Sequence, residues 1–214
     1  MITSKNVEEL YSADKDGMLH IKGNISEDEL KEIMLEVESN SHLFEKKEEK
    51  YIENNQDVAL IYRGEFNLAG LNNTVFEKIF KRYIDIRCQV ERLSKIPFDK
   101  GNILEVKIIR YPISKLGVAA HKDLSSNVNM ITFFNLKGSV KFYTYKNKDG
   151  EYLNEYLMEA GDISIMRGLR KQEGLDMRPL HGVEEVLEER VVLAIREIRT
   201  DLEEVVNKGN WRGF

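Results

Sequence analysis

The chain has 214 residues, of which 42% are apolar and 32% charged, with a formal net charge of −5. These values describe an ordinary globular protein with a real core, and the acidic balance argues against broad non-specific nucleic-acid binding, which needs clustered positive charge. No apolar run approaches the ~20 residues of a membrane helix, and Cys88, the only cysteine, has no intrachain partner for a disulfide.

The opening segment MITSKNVEELYSADKDG lacks a basic stretch followed by an apolar one. With the single cysteine, this predicts a reducing, cytoplasmic setting. There is no internal repeat, low-complexity tract or Pro/Gly/Ser linker. The pattern does change near residue 100. It predicts one domain over 1–214: a mainly helical lobe over 1–100, a strand-rich core over 101–200 and a tail over 201–214.

In the lobe, GMLHIKG reads as a short strand. ISEDELKEIMLEVESN opens with a capping box, Ser26 with Glu29, ahead of Leu30, Ile33, Met34 and Val37 at helical spacing. LNNTVFEKIFKRYIDIRCQVERLSKIP predicts the strongest helix. Phe76, Ile79, Phe80, Tyr83, Ile86, Val90 and Leu93 form its apolar stripe, and Pro97 lies beyond its end. Such a stripe is core packing and is assigned no chemistry. After residue 100, ILEVKIIRYP, NMITFFNL, SVKFYTYK, DISIMRG and ERVVLAIREI are short and rich in β-branched and aromatic residues. Serial short strands predict a sandwich or barrel, here with a helical layer, so the fold class is α+β, mostly β. TDLEEVVNKGNWRGF predicts a short terminal helix packed down by Trp211.

The chemistry concentrates at AAHKD. If this segment is extended, His121 and Asp123 point the same way. An imidazole and a carboxylate on one face make two thirds of a 2-His-1-carboxylate site, which holds Fe(II) and leaves positions open. His181, ahead of a further strand in MRPLHGVEEV, is the candidate second histidine. Alone, the pair is equally a surface hydrogen bond, and His181 a satisfied core residue. Arg190, Val192, Ala194 and Arg196 share one face of the last strand, while Val191, Leu193 and Ile195 share the other, which would pack outward. An inward Arg needs an anion or a core acid such as Glu105. Tyr111, at the end of the strand before His121, could bring a hydroxyl to the same place. Strand parity also puts Lys107, Asn129 and Tyr143 on the cavity side.

Taken in order, Tyr111-Pro112, the HxD of His121 and Asp123, the TFF strand around Thr132, KDGEYL, AGDISIMRG and HGVEEVLEERVV, with Arg190 nine residues after His181, resemble the non-haem Fe(II)/2-oxoglutarate oxygenases. The branch resembled is the isopenicillin N synthase-like one, and the resemblance spans about residues 103–198. It implies a double-stranded β-helix (jelly-roll) core, Fe(II) held by His121, Asp123 and His181, and 2-oxoglutarate anchored by Arg190 and Tyr111. It implies O2 as oxidant, succinate and CO2 as co-products, and oxidation of a substrate C–H bond, most simply hydroxylation of a small molecule. Two departures stand out: Val192 replaces the Ser that usually follows the Arg by two residues, and the chain lacks much of the N-terminal region of larger members. Arg196, six residues past Arg190, binds either the second carboxylate of 2-oxoglutarate or an anionic group on substrate, or is an ordinary strand-end charge. The competing readings are a nucleic-acid- or peptide-modifying oxygenase and a non-catalytic jelly-roll module that binds metal or senses.

Overall fold

The computed structural model describes residues 2–12, 15–43, 45–53, 56–67, 74–99, 103–113, 117–147, 150–169, 176–183 and 185–199. Along the chain these form α1 (Ser4–Tyr11), β1 (Met18–Ile21), α2 (Glu27–Ser39), β2 (Glu45–Glu53), β3 (Gln56–Asn67), α3 (Thr74–Ser94), β4 (Ile103–Tyr111) and β5 (Val118–His121). There follow β6 (Asn127–Lys137), β7 (Val140–Tyr145), β8 (Tyr152–Met158), β9 (Ile163–Arg167), β10 (Leu180–Val183) and β11 (Arg190–Ile198). The predicted terminal helix and Trp211 lie outside the described residues.

The local signals act as expected. Ser26 accepts from the Glu29 backbone while the Glu29 carboxylate accepts from the Ser26 N–H, so two of the donors that a helix start leaves open are satisfied at α2. A second capping box, Thr3 with Asn6, starts α1, which the apolar pattern does not announce. The lobe is also less helical than its pattern. β2 (Glu45–Glu53) and β3 (Gln56–Asn67) pair as antiparallel strands, although EKKEEKYIE carries charge at most positions.

The strands make two sheets, in the orders β1-β9-β6-β11-β4-β3-β2 and β5-β10-β7-β8, and every pairing between named strands is antiparallel. Of the eight strands β4 to β11, β4, β6, β9 and β11 lie in the larger sheet and β5, β7, β8 and β10 in the smaller; successive strands change sheet except at the β7–β8 hairpin, the order of a jelly roll. β1, β2 and β3 widen the larger sheet.

Two cores follow from strand parity. Val191, Leu193 and Ile195 of β11 face outward onto Phe76, Ile79, Tyr83, Ile86 and Val90 of α3, Ile33 and Val37 of α2, and Val7 and Leu10 of α1. Each such large side chain contributes roughly 1.5–3 kcal/mol by leaving water. Within this layer buried Glu197 accepts from Tyr83 Oη, Arg87 and Asn129 Nδ2, so its charge is matched. The second core lies between the sheets and contains Met18, Ile131, Val140, Phe142, Met158, Met166, Val183 and Val186.

Candidate metal centre

β5 and β10 are neighbours, and His121 lies directly opposite His181. Their rings are 4.4 Å apart between centroids. His181 sits inside β10, one residue after its start, rather than ahead of a strand. Phe142 stacks on its other side at 5.4 Å and 11°. Its Nδ1–H faces the Pro179 carbonyl at 3.1 Å, which turns Nε2 towards Asp123. Burial, followed by the opposing pull of Asp123, brings the imidazole down to about 4, so it is neutral at pH 7 and its Nε2 offers a lone pair.

Asp123 reaches the site differently from the expectation. β5 ends at His121, so Asp123 stands in the following loop and no pleat aligns the two. Instead, Arg178 Nη1 donates to the Asp123 carbonyl. Arg178 is itself forked onto Asp176, which also accepts from Lys122 at 3.2 Å. Thus the segment before His181 clamps the segment after His121. Burial alone would push the Asp123 carboxyl up; Arg196, the two histidines and Arg178 outweigh it and hold the carboxyl below its ordinary value.

The ligand atoms of His121, Asp123 and His181 all lie within 4.8 Å of one another. Asp123 Oδ2 is buried without a hydrogen-bond partner among the described residues, 3.7 Å from His181 Nε2, too far for a hydrogen bond. An orphaned carboxylate oxygen facing the His181 Nε2 lone pair fits a divalent cation, and the donor set of two imidazoles and one carboxylate suits Fe(II) with open positions.

The two inward arginines of β11 are brought into different surroundings. Arg190 lies opposite Tyr111 of β4, with its guanidinium 5.6 Å over the ring. It is buried, and its Nε donates to Asn135 Oδ1 at 2.9 Å. Nη1 and Nη2 meet no hydrogen-bond or acidic partner among the described residues. Burial lowers its guanidinium from the usual value. Arg196 lies opposite Glu105 and pairs with it at 3.2 Å, while its Nε is 3.9 Å from Asp123 Oδ1. Glu105 also holds Lys107 at 2.7 Å. The core acid foreseen for an inward arginine is therefore engaged by Arg196 and not by Arg190.

Of the residues placed on the cavity side by parity, Lys107 is there. Asn129 is not: a register shift and a φ of 55° turn its side chain to the helical layer, onto Glu197 and the Asp99 backbone. Tyr143 lies opposite Gly182, on the outer face, and packs with Tyr145 and Tyr152 at 6.4 and 4.6 Å. Sequence reasoning did not find Asn135 or the Asp176–Arg178–Lys122 clamp. Asn135 carries one usable signal, a polar residue in line with the inward-facing Ile131 and Phe133 of β6; the clamp carries none.

No protein-family model and no curated protein matches the chain. Solved structures do. A prolyl hydroxylase from Trichoplax adhaerens, in complex with a hypoxia inducible factor oxygen degradation domain peptide fragment, is 14% identical with a TM-score of 0.63, covering 91% of this chain and 88% of that one. A Pseudomonas putida prolyl-4-hydroxylase is 12% identical with a TM-score of 0.62, covering 92% and 98%. The non-heme alpha ketoglutarate dependent epimerase SnoN from nogalamycin biosynthesis is 11% identical with a TM-score of 0.61, covering 98% and 90%. At these identities the likeness shows the fold, the jelly roll on which 2-oxoglutarate oxygenases are built. Among the described residues no helix is long and apolar enough to cross a membrane.

Proposed function

We propose that the protein is a non-haem Fe(II)- and 2-oxoglutarate-dependent oxygenase, one domain over 1–214, that oxidises a C–H bond of a small molecule, most simply by hydroxylation. The observation that carries this reading is the convergence of His121, Asp123 and His181 on one point, with Asp123 Oδ2 left without a partner. The likeness to two prolyl hydroxylases and an alpha ketoglutarate dependent epimerase supports it. The isopenicillin N synthase-like branch rests on the ordered motifs from Tyr111-Pro112 to Arg190 alone, and the cytoplasmic setting on Cys88 standing alone.

In this reading the two imidazoles and the Asp123 carboxylate hold the iron. Pro179 fixes the His181 tautomer, and Arg196 balances the Asp123 charge. Arg190, over the Tyr111 ring, offers its unmatched guanidinium to the distal carboxylate of 2-oxoglutarate, and the Tyr111 hydroxyl would add a hydrogen bond to the same group. The bound iron, with O2 and 2-oxoglutarate, supplies the oxidation that inserts oxygen into the substrate C–H bond and yields succinate and CO2. Phe142 and Val183 keep the inner side of the centre apolar, which limits access of water.

A peptide substrate is the second reading, supported by the peptide bound to the Trichoplax prolyl hydroxylase. The test is succinate formation by protein reconstituted with Fe(II) without air and then given 2-oxoglutarate and air. Small metabolites and proline-containing peptides are screened as stimulants. Stimulation by a metabolite is expected; stimulation by peptides alone moves the substrate to the second reading. Succinate no higher than from Asp123→Ala overturns the assignment, as does stoichiometric iron in His121→Ala, Asp123→Ala and His181→Ala alike.

A further inference from the structure

An arginine can grip a carboxylate along two edges, side-on through Nε and one Nη, or end-on through Nη1 and Nη2. At Arg190 the side-on edge is already taken, because Nε donates to Asn135 Oδ1 at 2.9 Å. Asn135 is buried and held from three directions. Its backbone N–H donates to the Asp162 carbonyl at 2.9 Å and its carbonyl accepts from Gly161 N at 2.8 Å. Its Nδ2 donates to the Gly138 carbonyl at 2.7 Å, which orients the amide and aims Oδ1 at the arginine.

Gly138 in turn is pressed onto the start of β11. Its φ is +76°, and a Cβ there would come within 2.5 Å of the Glu189 carbonyl oxygen and 3.1 Å of Arg190 Cα. The turn that anchors the Asn135 amide and the backbone that carries Arg190 are thus one packed unit. Directly across the strand pair, Asn135 faces Val192, which has no hydrogen-bonding side chain. At this register, the amide of Asn135 is the polar group beside the arginine.

We propose that Asn135 is a positioning residue for Arg190: by occupying Nε it leaves only the Nη1/Nη2 edge for an incoming carboxylate, and so sets the pocket for end-on capture of the terminal carboxylate of a keto diacid. It also keeps the buried guanidinium partnered without neutralising it, so that the full positive charge remains for the ligand. An Asp in its place would keep the size and the acceptor but cancel that charge. The inference rests on the proposed role of Arg190, and the test separates the two.

Wild type, Asn135→Asp and Asn135→Leu are loaded with Mn(II), and binding of radiolabelled 2-oxoglutarate is measured by equilibrium dialysis beside Mn(II) affinity. Asn135→Asp is expected to bind 2-oxoglutarate at least about tenfold more weakly, and Asn135→Leu about tenfold, one charge-assisted hydrogen bond being worth that much. Mn(II) affinity should be unmoved in both. If Asn135→Leu does not fold, Asn135→Asp decides, since it keeps the shape and the Oδ1 acceptor and gives up only the Nδ2 donor to Gly138. Wild-type 2-oxoglutarate affinity in Asn135→Asp overturns the inference and leaves the function standing, as does loss of Mn(II) binding, which would place the residue's effect on the metal centre. Absence of 2-oxoglutarate binding by the wild type overturns the co-substrate reading and this inference with it.

Discussion

Replacement of Arg190 by Met isolates the proposed co-substrate anchor from the proposed metal site. Methionine keeps the unbranched apolar stem, reaching about as far as Nε, and removes the charged fork beyond it. In the proposed pocket, Nη1 and Nη2 each give a hydrogen bond to the distal carboxylate of 2-oxoglutarate. Two bonds to a charged group at roughly 1.5–2 kcal/mol each amount to about 3–4 kcal/mol, or a factor of about 10²–10³ in Kd. Stability should move far less, because two changes oppose each other. Asn135 Oδ1 loses its donor, while the cost of keeping a buried cation away from water disappears. Arg190→Lys should fall between, as a point charge without the fork. The assay is 2-oxoglutarate binding to Mn(II)-loaded protein, with Mn(II) affinity and a thermal melt as controls. Unchanged 2-oxoglutarate affinity in Arg190→Met, with the metal bound normally, would refute the reasoning.

Removing the carboxylate of Asp176 should loosen the metal centre without unfolding the chain. It holds Arg178 and Lys122, which sit beside Asp123, but it is itself partly exposed, so Asp176→Ala should cost no more than about 1 kcal/mol of stability; Mn(II) affinity should drop by about tenfold, and an unchanged affinity would show that the clamp does not shape the triad. Acid should weaken the fold through Asp162. Burial pushes its carboxyl up, but the Glu159 and Gly23 N–H groups and His20 outweigh this and hold it below the ordinary value. A depressed folded value gives stability that is present above roughly pH 4, the unfolded value, and lost as pH falls through the folded one. Urea midpoints between pH 6 and 2.5 should therefore fall less steeply for Asp162→Asn than for the wild type, and parallel curves would remove Asp162 from the acid response.

What the sequence discloses follows the length and contrast of each pattern. α3 is legible because a 21-residue helix repeats its apolar stripe several times, and β4, β6, β7, β9 and β11 because their residues are β-branched and aromatic. Three strands of the smaller sheet are not. β5 and β10 have four residues each, too few for a period, and most of β8 is exposed. β2 is hidden by its charge, whereas β3 carries a strand signal in VALIY that stood without a recognisable partner, because the pairing is made by the backbone. The same distinction governs the site. His121, Asp123 and His181 stand out as residue types, yet Asp123 is aimed by Arg178 rather than by a pleat. Asn129 is turned away by a bulge that no alternation rule contains.

The two arginines of β11 show where composition stops and register begins. By parity they are equivalent, six residues apart on the inward face of one strand. What separates them is the residue opposite each. Register places Glu105 against Arg196 and Tyr111 against Arg190. Arg196 is thereby matched by Glu105, with Asp123 close by, and burial is outweighed so that its charge is held more firmly than usual. Arg190 receives an aromatic face and a neutral amide, which satisfy geometry and leave the charge uncompensated. A buried cation kept in that condition raises the free energy of the empty pocket, and a dicarboxylate that reaches both it and the metal lowers that free energy on binding. The spacing of Arg190 from His181 names the candidate; the pairing of β4 with β11 supplies the reason that it, and not Arg196, is the arginine proposed to take the anion.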